Sequence, residues 1–426
     1  MRILIKNAQI IYKDNDLIVG EVWLEDDVIY AIGKDFEKQS IFFDKVYDVK
    51  RNLVIPGLID VHVHLREPGF ENKETIKTGS LAAAHGGFTQ VCAMPNVNPT
   101  PDTPEKMQKM LVKIKQDSVV KVHQYAPITK NREFETELVN FEALKAAGAW
   151  NFSNDGSGIQ TAGVMYRAMI AAFKVQKAIV AHTEDNSLLN GGVMRAGERA
   201  VKLKLPGILS VVESSQVARD LLLAQATGCH YHVCHLSTKE TVQMIRKAKE
   251  IGIHVTCEVA PHHLLLTDED ILTDSAIWKV NPPLPSKADQ EALIEGLLDG
   301  TIDIIATDHA SHMVSEKKTN FVNGAFGIVG LEQAFSLMYT QFVKKKILTL
   351  EKLICLMSTY PAKIFKMTGG SIQIGHPADI TVMNLDHEYV IDAKNFESKG
   401  YNTPFLGWRV KAKTMMTFVD GKLVWG

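Results

Sequence analysis

The sequence has few cysteines for its length, and they show no pairing pattern. Five occur in 426 residues, an odd number, and none belongs to a Cys-x-x-Cys pair. They are Cys92, Cys229, Cys234, Cys257 and Cys355. This distribution argues against a disulfide framework and against a structural zinc site, which normally has paired thiolates. We expect reduced, mostly buried thiols, although the run "GCHYHVCHLS" leaves a soft-metal site open as an alternative to a core strand.

Long apolar runs and dense blocks of one charge are also missing. There are 47 Lys and Arg against 49 Asp and Glu, which gives a formal net charge of −2, and basic stretches are short, as in "VKKKI". No apolar stretch is long enough to cross a bilayer, and the N-terminus lacks the apolar core of a signal peptide. We therefore expect a cytoplasmic protein that binds neither nucleic acid nor membrane.

Both ends of the chain have the pattern of short antiparallel strands. Apolar and polar residues alternate in "DLIVGEVWLEDDVIYAIG" near the start, and strand-like runs recur in "ADITVMNL" and "AKTMMTFVDGKLVWG" near the end. The last run is broken at Asp420-Gly421, a dipeptide suited to a tight hairpin turn. We expect residues 1–56 and 370–426 to pair into one small β-sandwich domain.

The middle of the chain, residues 57–369, alternates apolar runs with segments of helical periodicity. The eight runs are "LIDVHVH", "FTQVCAMP", "KVHQYAP", "AWNFSND", "AIVAHTE", "YHVCHLS", "HVTCEVAP" and "IDIIATDH". Eight strand–helix units are typical of a (β/α)₈ TIM-type barrel, so the fold class is α/β. A doubly wound open sheet is the alternative, because periodicity alone does not close a sheet.

Polar side chains end five of the eight runs. In a barrel the carboxyl ends of the strands meet at one rim, where such enzymes carry their chemistry. In the first run, "VIPGLIDVHVHLREPG", two histidines at alternate positions share one face of the strand. The residues that we expect at the rim are His62, His64, Asp155, His182, His235 and Asp308.

Four imidazoles and two carboxylates form a nitrogen and oxygen set that suits Zn²⁺ or a similar divalent metal. A lone histidine in an apolar run is more often a hydrogen-bonded core residue, and we assign that role to His123, His230, His232 and His254. Six polar side chains at one rim are different, because each would be costly to bury alone. One open catalytic zinc needs only three protein ligands, so the surplus predicts two metals.

The division of roles follows from position and charge. The paired histidines of the first run would hold one metal with Asp308, and those of the fifth and sixth runs would hold the second, with Asp155 as the bridge. A water molecule held between two cations ionises to hydroxide near neutral pH. Asp308 would take its proton and pass it to a leaving nitrogen. The sequence therefore predicts hydrolysis, or its reverse, at a carbonyl or similar electrophile.

Three further polar residues suggest what is hydrolysed. Arg66 lies two residues past the paired histidines, and its guanidinium would pair with a substrate carboxylate, with a surface salt bridge as the alternative. Asn96 in "AMPN" and Asn281 in "VNPPL" would bond an amide-like substrate, with a turn role beside proline as the alternative. The segment "MVSEKKTNFVNGAFGIVG" predicts a mobile lid rather than an ordinary exposed loop, and His312, Phe326 and Gly327 would contact the ligand there.

The chain also resembles a known family in motifs that follow in order along almost its whole length. These are "PGLIDVHVHLREPG", "CAMPN", "FSNDG", "VAHTED", "HVCHLST", "VAPHHLLLTDED", "NPPL", "IIATDHASH" and "FGIVGLE". They are similar to those of the dihydroorotases of the amidohydrolase superfamily, specifically the long bacterial type. The His-x-His pair alone would mark only the superfamily.

The resemblance implies a barrel with a small β domain, two zinc ions per subunit and interconversion of N-carbamoyl-L-aspartate and dihydroorotate in pyrimidine synthesis. It implies the six metal ligands named above, with Asp155 as the bridge and Asp308 also the general acid and base. It suggests a homodimer. The implied substrate contacts are His64, Arg66, Asn96, Asn281, His312, Phe326 and Gly327, with Arg66 and Asn96 on the carboxylate.

The chain departs from the family pattern at four places. Asn154 stands where a second Asp is common, so only one carboxylate can bridge. Pro285 stands where an Arg is common, Ser311 replaces a Pro, and "NGAFG" replaces "APFG". The last three lie around the substrate loops, so we expect them to affect loop geometry and substrate affinity rather than the metals.

Two rival functions stay open. Another cyclic amidase, such as a hydantoinase, dihydropyrimidinase or allantoinase, is the nearer one, and "HLREPG" favours a carboxylate-bearing substrate over it. The other is an inactive homologue that serves as a structural partner of a transcarbamoylase. Such homologues typically lose metal ligands, and this chain keeps all six.

Overall fold

The computed structural model describes residues 1–12, 17–39, 41–133 and 137–426. The strands are β1 (Arg2–Ile11), β2 (Leu17–Glu25), β3 (Val28–Gly33), β4 (Lys45–Asp48), β5 (Leu53–Pro56), β6 (Leu58–His64), β7 (Phe88–Ala93), β8 (Lys121–Gln124), β9 (Ile179–Ala181), β10 (Met194–Arg195), β11 (Gly207–Ile208), β12 (Tyr231–Val233), β13 (Val255–Val259), β14 (Ile304–Ile305), β15 (His309–Ala310), β16 (Ile380–Val390), β17 (Arg409–Val419) and β18 (Lys422–Trp425).

The helices alternate with the middle strands. They are α1 (Ile76–Gly86), α2 (Pro104–Asp117), α3 (Phe141–Ala146), α4 (Ala162–Lys174), α5 (Glu198–Leu203), α6 (Val211–Thr227), α7 (Lys239–Glu250), α8 (Pro261–Leu265), α9 (Lys287–Asp299), α10 (Val314–Lys317), α11 (Ala334–Met338), α12 (Leu350–Ile354) and α13 (Tyr360–Phe365). A π-helical turn, Tyr339–Val343, extends α11, and another, Cys355–Thr359, joins α12 to α13.

The middle strands close into a parallel barrel. One half has the order β15-β6-β7-β8 and the other β14-β13-β12-β9. Phe152 joins the halves on one side, because it bridges in parallel to Ala126, just past β8, and to Ile179 in β9. On the other side β14 and β15 belong to the same apolar run. The open doubly wound alternative is therefore wrong.

The fourth predicted run, residues 149–155, forms only this single bridged position instead of a full strand. Backbone hydrogen bonds still join it to both sides, as from Ser153 N–H to the carbonyl of Ala126 at 2.9 Å and from Val180 N–H to the carbonyl of Phe152 at 2.9 Å. The Asn151 amide oxygen adds a side-chain bond, because it accepts from the backbone N–H of Ala178 at 2.8 Å. The carboxyl end of the run still faces the rim, so Asp155 reaches it.

Hydroxyl side chains begin most of the long barrel helices. Thr103 caps α2, with Pro104 at its first position, Thr161 caps α4, Thr238 caps α7 and Ser286 caps α9. Each side-chain oxygen accepts a hydrogen bond from a backbone N–H of the first turn, which would otherwise lack a partner. These caps fix where each helix begins after the loop that follows the preceding strand.

Both chain ends contribute to one eight-stranded sheet, in the order β18-β17-β16-β5-β1-β2-β3, with β4 also paired to β1. Strands that are not neighbours in this sheet share a core. Val22 and Ile29 belong to the same buried cluster as Ile380 and Phe418. The sheet rests on the carboxyl end of α1, where Thr417 Oγ1 donates to the carbonyl of Ala84.

The domain boundaries at 56/57 and 369/370 stay a prediction. No helix in the described part of the chain is both long and apolar enough to cross a membrane.

Candidate active site

Six polar side chains meet at the carboxyl ends of the barrel strands. Each of them is 5% exposed or less. They are the six that we expected there, namely His62, His64, Asp155, His182, His235 and Asp308. They come from β6 and from the segments that follow Phe152, β9, β12 and β14, so the barrel topology brings them together.

Asp155 lies at the centre of this cluster. Its Oδ1 is 3.3 Å from His62 Nε2, 3.5 Å from His235 Nε2 and 3.7 Å from His182 Nδ1. Its Oδ2 is 3.4 Å from His64 Nε2. The carboxylate thus belongs to two groups of three potential metal ligands, one with the pair from β6 and one with the other two histidines. This is the placement that a bridging carboxylate requires.

Asp308 lies beside the histidine pair of β6. Its Oδ1 is 2.9 Å from His64 Nε2 and 3.4 Å from His62 Nε2. Its backbone is in the left-handed region, with φ of 49°, and His235 has φ of 33°. Such conformations are uncommon for residues with a Cβ and cluster at functional sites.

The donor set of the cluster fits a bound metal. His182 Nδ1 faces His235 Nε2 at 3.0 Å, and at most one proton can satisfy that pair of nitrogens. Among the described residues, four buried site atoms have no hydrogen-bond partner: His62 Nε2, Asp155 Oδ1, His182 Nε2 and His235 Nδ1. Buried polar atoms are normally satisfied. Nitrogen and oxygen ligands converging in this way suit zinc or a similar divalent cation.

Both carboxylates are held in their ionised form. Burial opposes ionisation of Asp155, but the charge of His62 and the nearby imidazoles of His235 and His64 outweigh it and lower the pKa of Asp155 well below its usual value. Burial is likewise outweighed at Asp308, where the charge of His62 and the hydrogen bond from His64 lower the pKa. Ionised oxygens are the form that binds metal.

Glu258 in β13 contacts His62 from behind the cluster, and the sequence analysis missed it. Its Oε1 is 2.6 Å from His62 Nδ1, and its Oε2 is 3.1 Å from His232 Nε2. Burial disfavours the charged carboxylate, but His62 and His232 lower the pKa of Glu258 to about 2. A carboxylate on the outer nitrogen of a ligating histidine fixes its tautomer and raises its basicity. A Glu inside the apolar run "HVTCEVAP" was the available signal.

Cys234 completes a third group of potential ligands with His62 and Glu258. Burial raises the pKa of the Cys234 thiol well above its usual value, which disfavours the thiolate form. All five cysteines are free and buried. The soft-metal alternative is therefore not favoured.

The four histidines expected in the core differ among themselves. His123 Nε2 lies 3.0 Å from Gln90 Oε1, and His230 Nε2 lies 2.8 Å from Thr256 Oγ1. His232 is buried as expected, and its Nε2 contacts the Glu258 carboxylate. The expectation for His254 is wrong, because this ring is exposed and stacks on His230 with centroids 4.3 Å apart.

Arg66 reaches the edge of the cluster with φ of 62°. Its Nε donates to the carbonyl of Ser311 at 3.3 Å, and its Nη2 lies 3.1 Å from His312 Nε2. In the described chain no carboxylate pairs with this guanidinium within 4.0 Å. Burial lowers the pKa of Arg66, although the charges of Asp308 and Asp155 oppose this effect. The surface salt bridge alternative is wrong.

A small cavity of about 160 Å³ lies over the cluster. Most of the expected substrate contacts line it, namely His64, Arg66, Asn96, Asn281, Phe326 and Gly327. His312 is not among the lining residues of the described chain and contacts Arg66 instead. The Asn96 amide oxygen lies 2.9 Å from His64 Nδ1, and Asn281 Nδ2 donates to Glu184 Oε2 at 2.5 Å. Both asparagines therefore take part in the site beyond a turn role.

Residues around Asp155 explain one departure from the family pattern. The Asn154 amide accepts from the backbone N–H of Ile128 at 2.8 Å and donates to Thr129 Oγ1 at 2.7 Å. An Asp could not donate in this way. Arg132, which the sequence analysis also missed, donates to the carbonyl of Asp155 at 2.5 Å.

The segment predicted as a mobile lid is partly packed against the barrel, and its mobility stays a prediction. It contains α10, and Phe321 is 1% exposed. Gly324 of the departing "NGAFG" is buried, and a Cβ there would lie 2.1 Å from the Ala276 Cβ, so only glycine fits. Ser311, another departure, donates its hydroxyl to the carbonyl of Lys73 at 2.6 Å.

Comparisons with known proteins agree with this geometry. Residues 51–241 match a family model described as Dihydro-orotase-like. The chain is 59% identical over 425 residues to a dihydroorotase of Enterococcus faecalis, and the match covers 100% of this chain and 99% of that one. It is 54% identical over 429 residues to a dihydroorotase of Ligilactobacillus salivarius, with the same coverage.

Solved structures give the same fold. The L-hydantoinase (dihydropyrimidinase) of Arthrobacter aurescens matches with a TM-score of 0.88 and 26% identity, over 99% of this chain and 95% of that one. The D-hydantoinase (dihydropyrimidinase) of a Thermus species matches with a TM-score of 0.85 and 25% identity, over 99% and 94%. The predicted barrel with a terminal β domain is thereby confirmed. The chain belongs to the dihydroorotase family of cyclic amide hydrolases.

Proposed function

We propose that this chain catalyses the reversible cyclisation of N-carbamoyl-L-aspartate to (S)-dihydroorotate, with release of water, in de novo pyrimidine synthesis. One observation carries the substrate assignment. The Arg66 guanidinium has no carboxylate partner in the described chain and lines the same cavity as the metal-ligand cluster. A substrate carboxylate would compensate its charge through paired N–H bonds.

The six clustered side chains would hold two zinc ions, with Asp155 between them. The pair from β6 and Asp308 would hold one ion, and the remaining histidines the other. When bound, zinc lowers the pKa of water and polarises a carbonyl oxygen. The support for this assignment is the shared position of Asp155 and the unpartnered ligand atoms around it.

The chain's own residues divide the remaining work. Asp308 is ionised and at the cavity, so in ring opening its carboxylate accepts the proton of the attacking water. As the carbon–nitrogen bond of the ring breaks, Asp308 returns that proton to the departing nitrogen. Asn96 bonds the substrate carboxylate together with Arg66, and Asn281 bonds the ring amide. Glu184 accepts a hydrogen bond from Asn281 and so fixes the orientation of the Asn281 side-chain amide.

The competing activities are those of the structural neighbours, which are hydantoinases by name. One zinc-loaded preparation should be assayed on dihydroorotate, hydantoin, dihydrouracil and allantoin. We expect dihydroorotate to have the highest kcat/KM, and Arg66→Met to lower it for this substrate alone. Preference for a ring without a carboxylate would contradict the proposal.

An inactive scaffold role is distinguished by metal analysis. We expect the folded chain to bind zinc on reconstitution and to turn over dihydroorotate. A well-folded preparation that holds no zinc and has no activity would favour the scaffold. A homodimer and a cytoplasmic location are also proposals, and sedimentation at several concentrations tests the first of them.

A further inference from the structure

Lys317 is a buried lysine without a catalytic task in the scheme above. It ends α10 and is 5% exposed. Its Nζ donates to three backbone carbonyls: that of Lys279 at 3.0 Å, that of Ala325 at 2.9 Å and that of Gly327 at 2.8 Å. An ammonium group has three N–H donors, so these carbonyls use all of them.

Lys279 holds the same loop from the other side. It is 3% exposed, its Nζ donates to the carbonyl of Gly324 at 2.8 Å and lies 4.2 Å from the centre of the Phe326 ring. Its own carbonyl accepts the backbone N–H of Gly327 at 3.0 Å. Phe326 and Gly327, which we expect to contact substrate, thus both contact Lys279. Lys279 lies two residues before Asn281 in the chain.

Asn402 provides a third attachment, from the connection between β16 and β17. Its Nδ2 donates to the carbonyl of Gly327 at 3.1 Å and to that of Ala310 at 2.9 Å. Its Oδ1 accepts the backbone N–H of His312 at 3.0 Å. One amide from the C-terminal part of the chain therefore joins the loop to the end of β15 and to the residue that contacts Arg66.

The cost of this arrangement indicates that it has a function. A buried ammonium without a carboxylate partner is expensive, and an apolar side chain would fill the same space at lower cost. The groups that face Lys317 are Lys279, Glu316 and His312, and burial together with Lys279 lowers its pKa to about 7. What the three donors hold is a turn that favours glycine, because Gly327 has φ of 138°. A Cβ at Gly327 would lie 2.7 Å from that of Ala310.

We propose that Lys317 and Asn402 are positioning residues that fix the Ala325–Gly327 backbone against the catalytic cavity before substrate binds. They do not touch the substrate. The inference rests on the proposed function, because it takes the cavity over the cluster to be the substrate site. The expected effect is preorganisation of the loop. A loop that is already held in its binding conformation loses less entropy when the substrate binds.

The test uses two variants with matched controls on the full-length, zinc-loaded chain. Lys317→Met removes the three donors and keeps the length of the side chain, and Asn402→Asp keeps the shape but cannot donate to the carbonyls. Lys318→Met and Asn323→Asp are the controls. They make the same kinds of substitution in the same loop, at residues that are exposed. Measurements are kcat and KM for dihydroorotate, zinc content, and amide hydrogen exchange of residues 318–328.

We expect each test variant to raise KM about tenfold and to lower kcat less than threefold, because contacts made equally in ground and transition states affect KM. Zinc content should stay at the wild-type value, and exchange within residues 318–328 should become faster. The controls should match the wild type in all four measurements.

Wild-type KM in both test variants would overturn the inference, whether or not exchange changes. An equal rise of KM in the controls would overturn it too. If the wild type turns over another cyclic amide in place of dihydroorotate, the proposed substrate is wrong. The same four variants are then compared on that ring, and the positioning role is decided there independently.

Discussion

The contact between Glu258 and His62 gives a prediction whose size follows from the structure. Both residues are buried, and the two side chains meet at 2.6 Å. The pKa of Glu258 falls from its ordinary 4.5 to about 2 despite burial, which corresponds to roughly 3 kcal/mol of favourable interaction of the carboxylate with its partners. Glu258→Gln keeps the shape and removes the charge. One of its two partners, His62 or His232, must then face an NH₂ group instead of an oxygen.

We expect this change to weaken zinc binding 10- to 100-fold, about 1.4–2.7 kcal/mol, as is typical for loss of a carboxylate behind a ligating histidine. The assay is competition with a chromophoric chelator, with circular dichroism to check the fold. Glu291→Gln is the control, because Glu291 is exposed on α9. If Glu258→Gln folds normally and binds zinc as tightly as the wild type, Glu258 does not orient His62 for metal.

Three further predictions address the substrate, the loop and pH. Arg66→Met should lower kcat/KM for dihydroorotate about 10- to 150-fold, because it removes charged hydrogen bonds worth roughly 1.5–3 kcal/mol. A variant with wild-type zinc content and unchanged kcat/KM would contradict this prediction. Gly324→Ala should lower the melting temperature, because its Cβ would lie 2.1 Å from that of Ala276, whereas Gly163→Ala should not, since only an Arg side-chain atom comes near. Burial and Lys279 lower the pKa of Lys317 from 10.5 to about 7, so its charged fraction falls between pH 6 and pH 8. The ratio of the Lys317→Met KM to the wild-type KM should therefore be largest at pH 6 and shrink by pH 8, and a constant ratio would refute the charge dependence.

The barrel could be predicted from the sequence because its strands are local patterns. An apolar run such as "LIDVHVH" coincides with β6 over its whole length. Strand length was less predictable, because it depends on the neighbouring strands. The run around Phe152 forms a single bridge on each side, and side chains such as Asn151 satisfy the adjacent backbone. No local pattern indicates that this run forms so short a strand.

The clustered ligands could be predicted for a topological reason. Each one ends an apolar run, and the carboxyl ends of parallel strands meet at one rim. Residues that act through contacts between distant segments have no such signal. Arg132 reaches the carbonyl of Asp155, and Asn402 reaches Gly327 from 75 positions along the chain. Only the folded chain reveals these contacts.

The loop around Gly324 has attachments that its composition does not indicate. Its polar and glycine-rich sequence is typical of a mobile segment, and we expected a lid there. In the structure, buried Lys279 and Lys317 bond its carbonyls. A lysine in a sequence is normally read as exposed, because an unpaired buried ammonium is rare. The sequence therefore contains no signal for these attachments, and the mobility of the loop stays a prediction.

The shared position of Asp155 is the central claim, and counting metal in Asp155→Asn tests it most directly. The variant, the wild type and the exposed-site control Asp386→Asn are reconstituted with zinc, desalted and analysed by mass spectrometry for zinc per chain. We predict about two ions per chain in the wild type and the control, and loss of bound zinc and of activity in Asp155→Asn with the fold retained. Unchanged zinc content in Asp155→Asn would contradict the account.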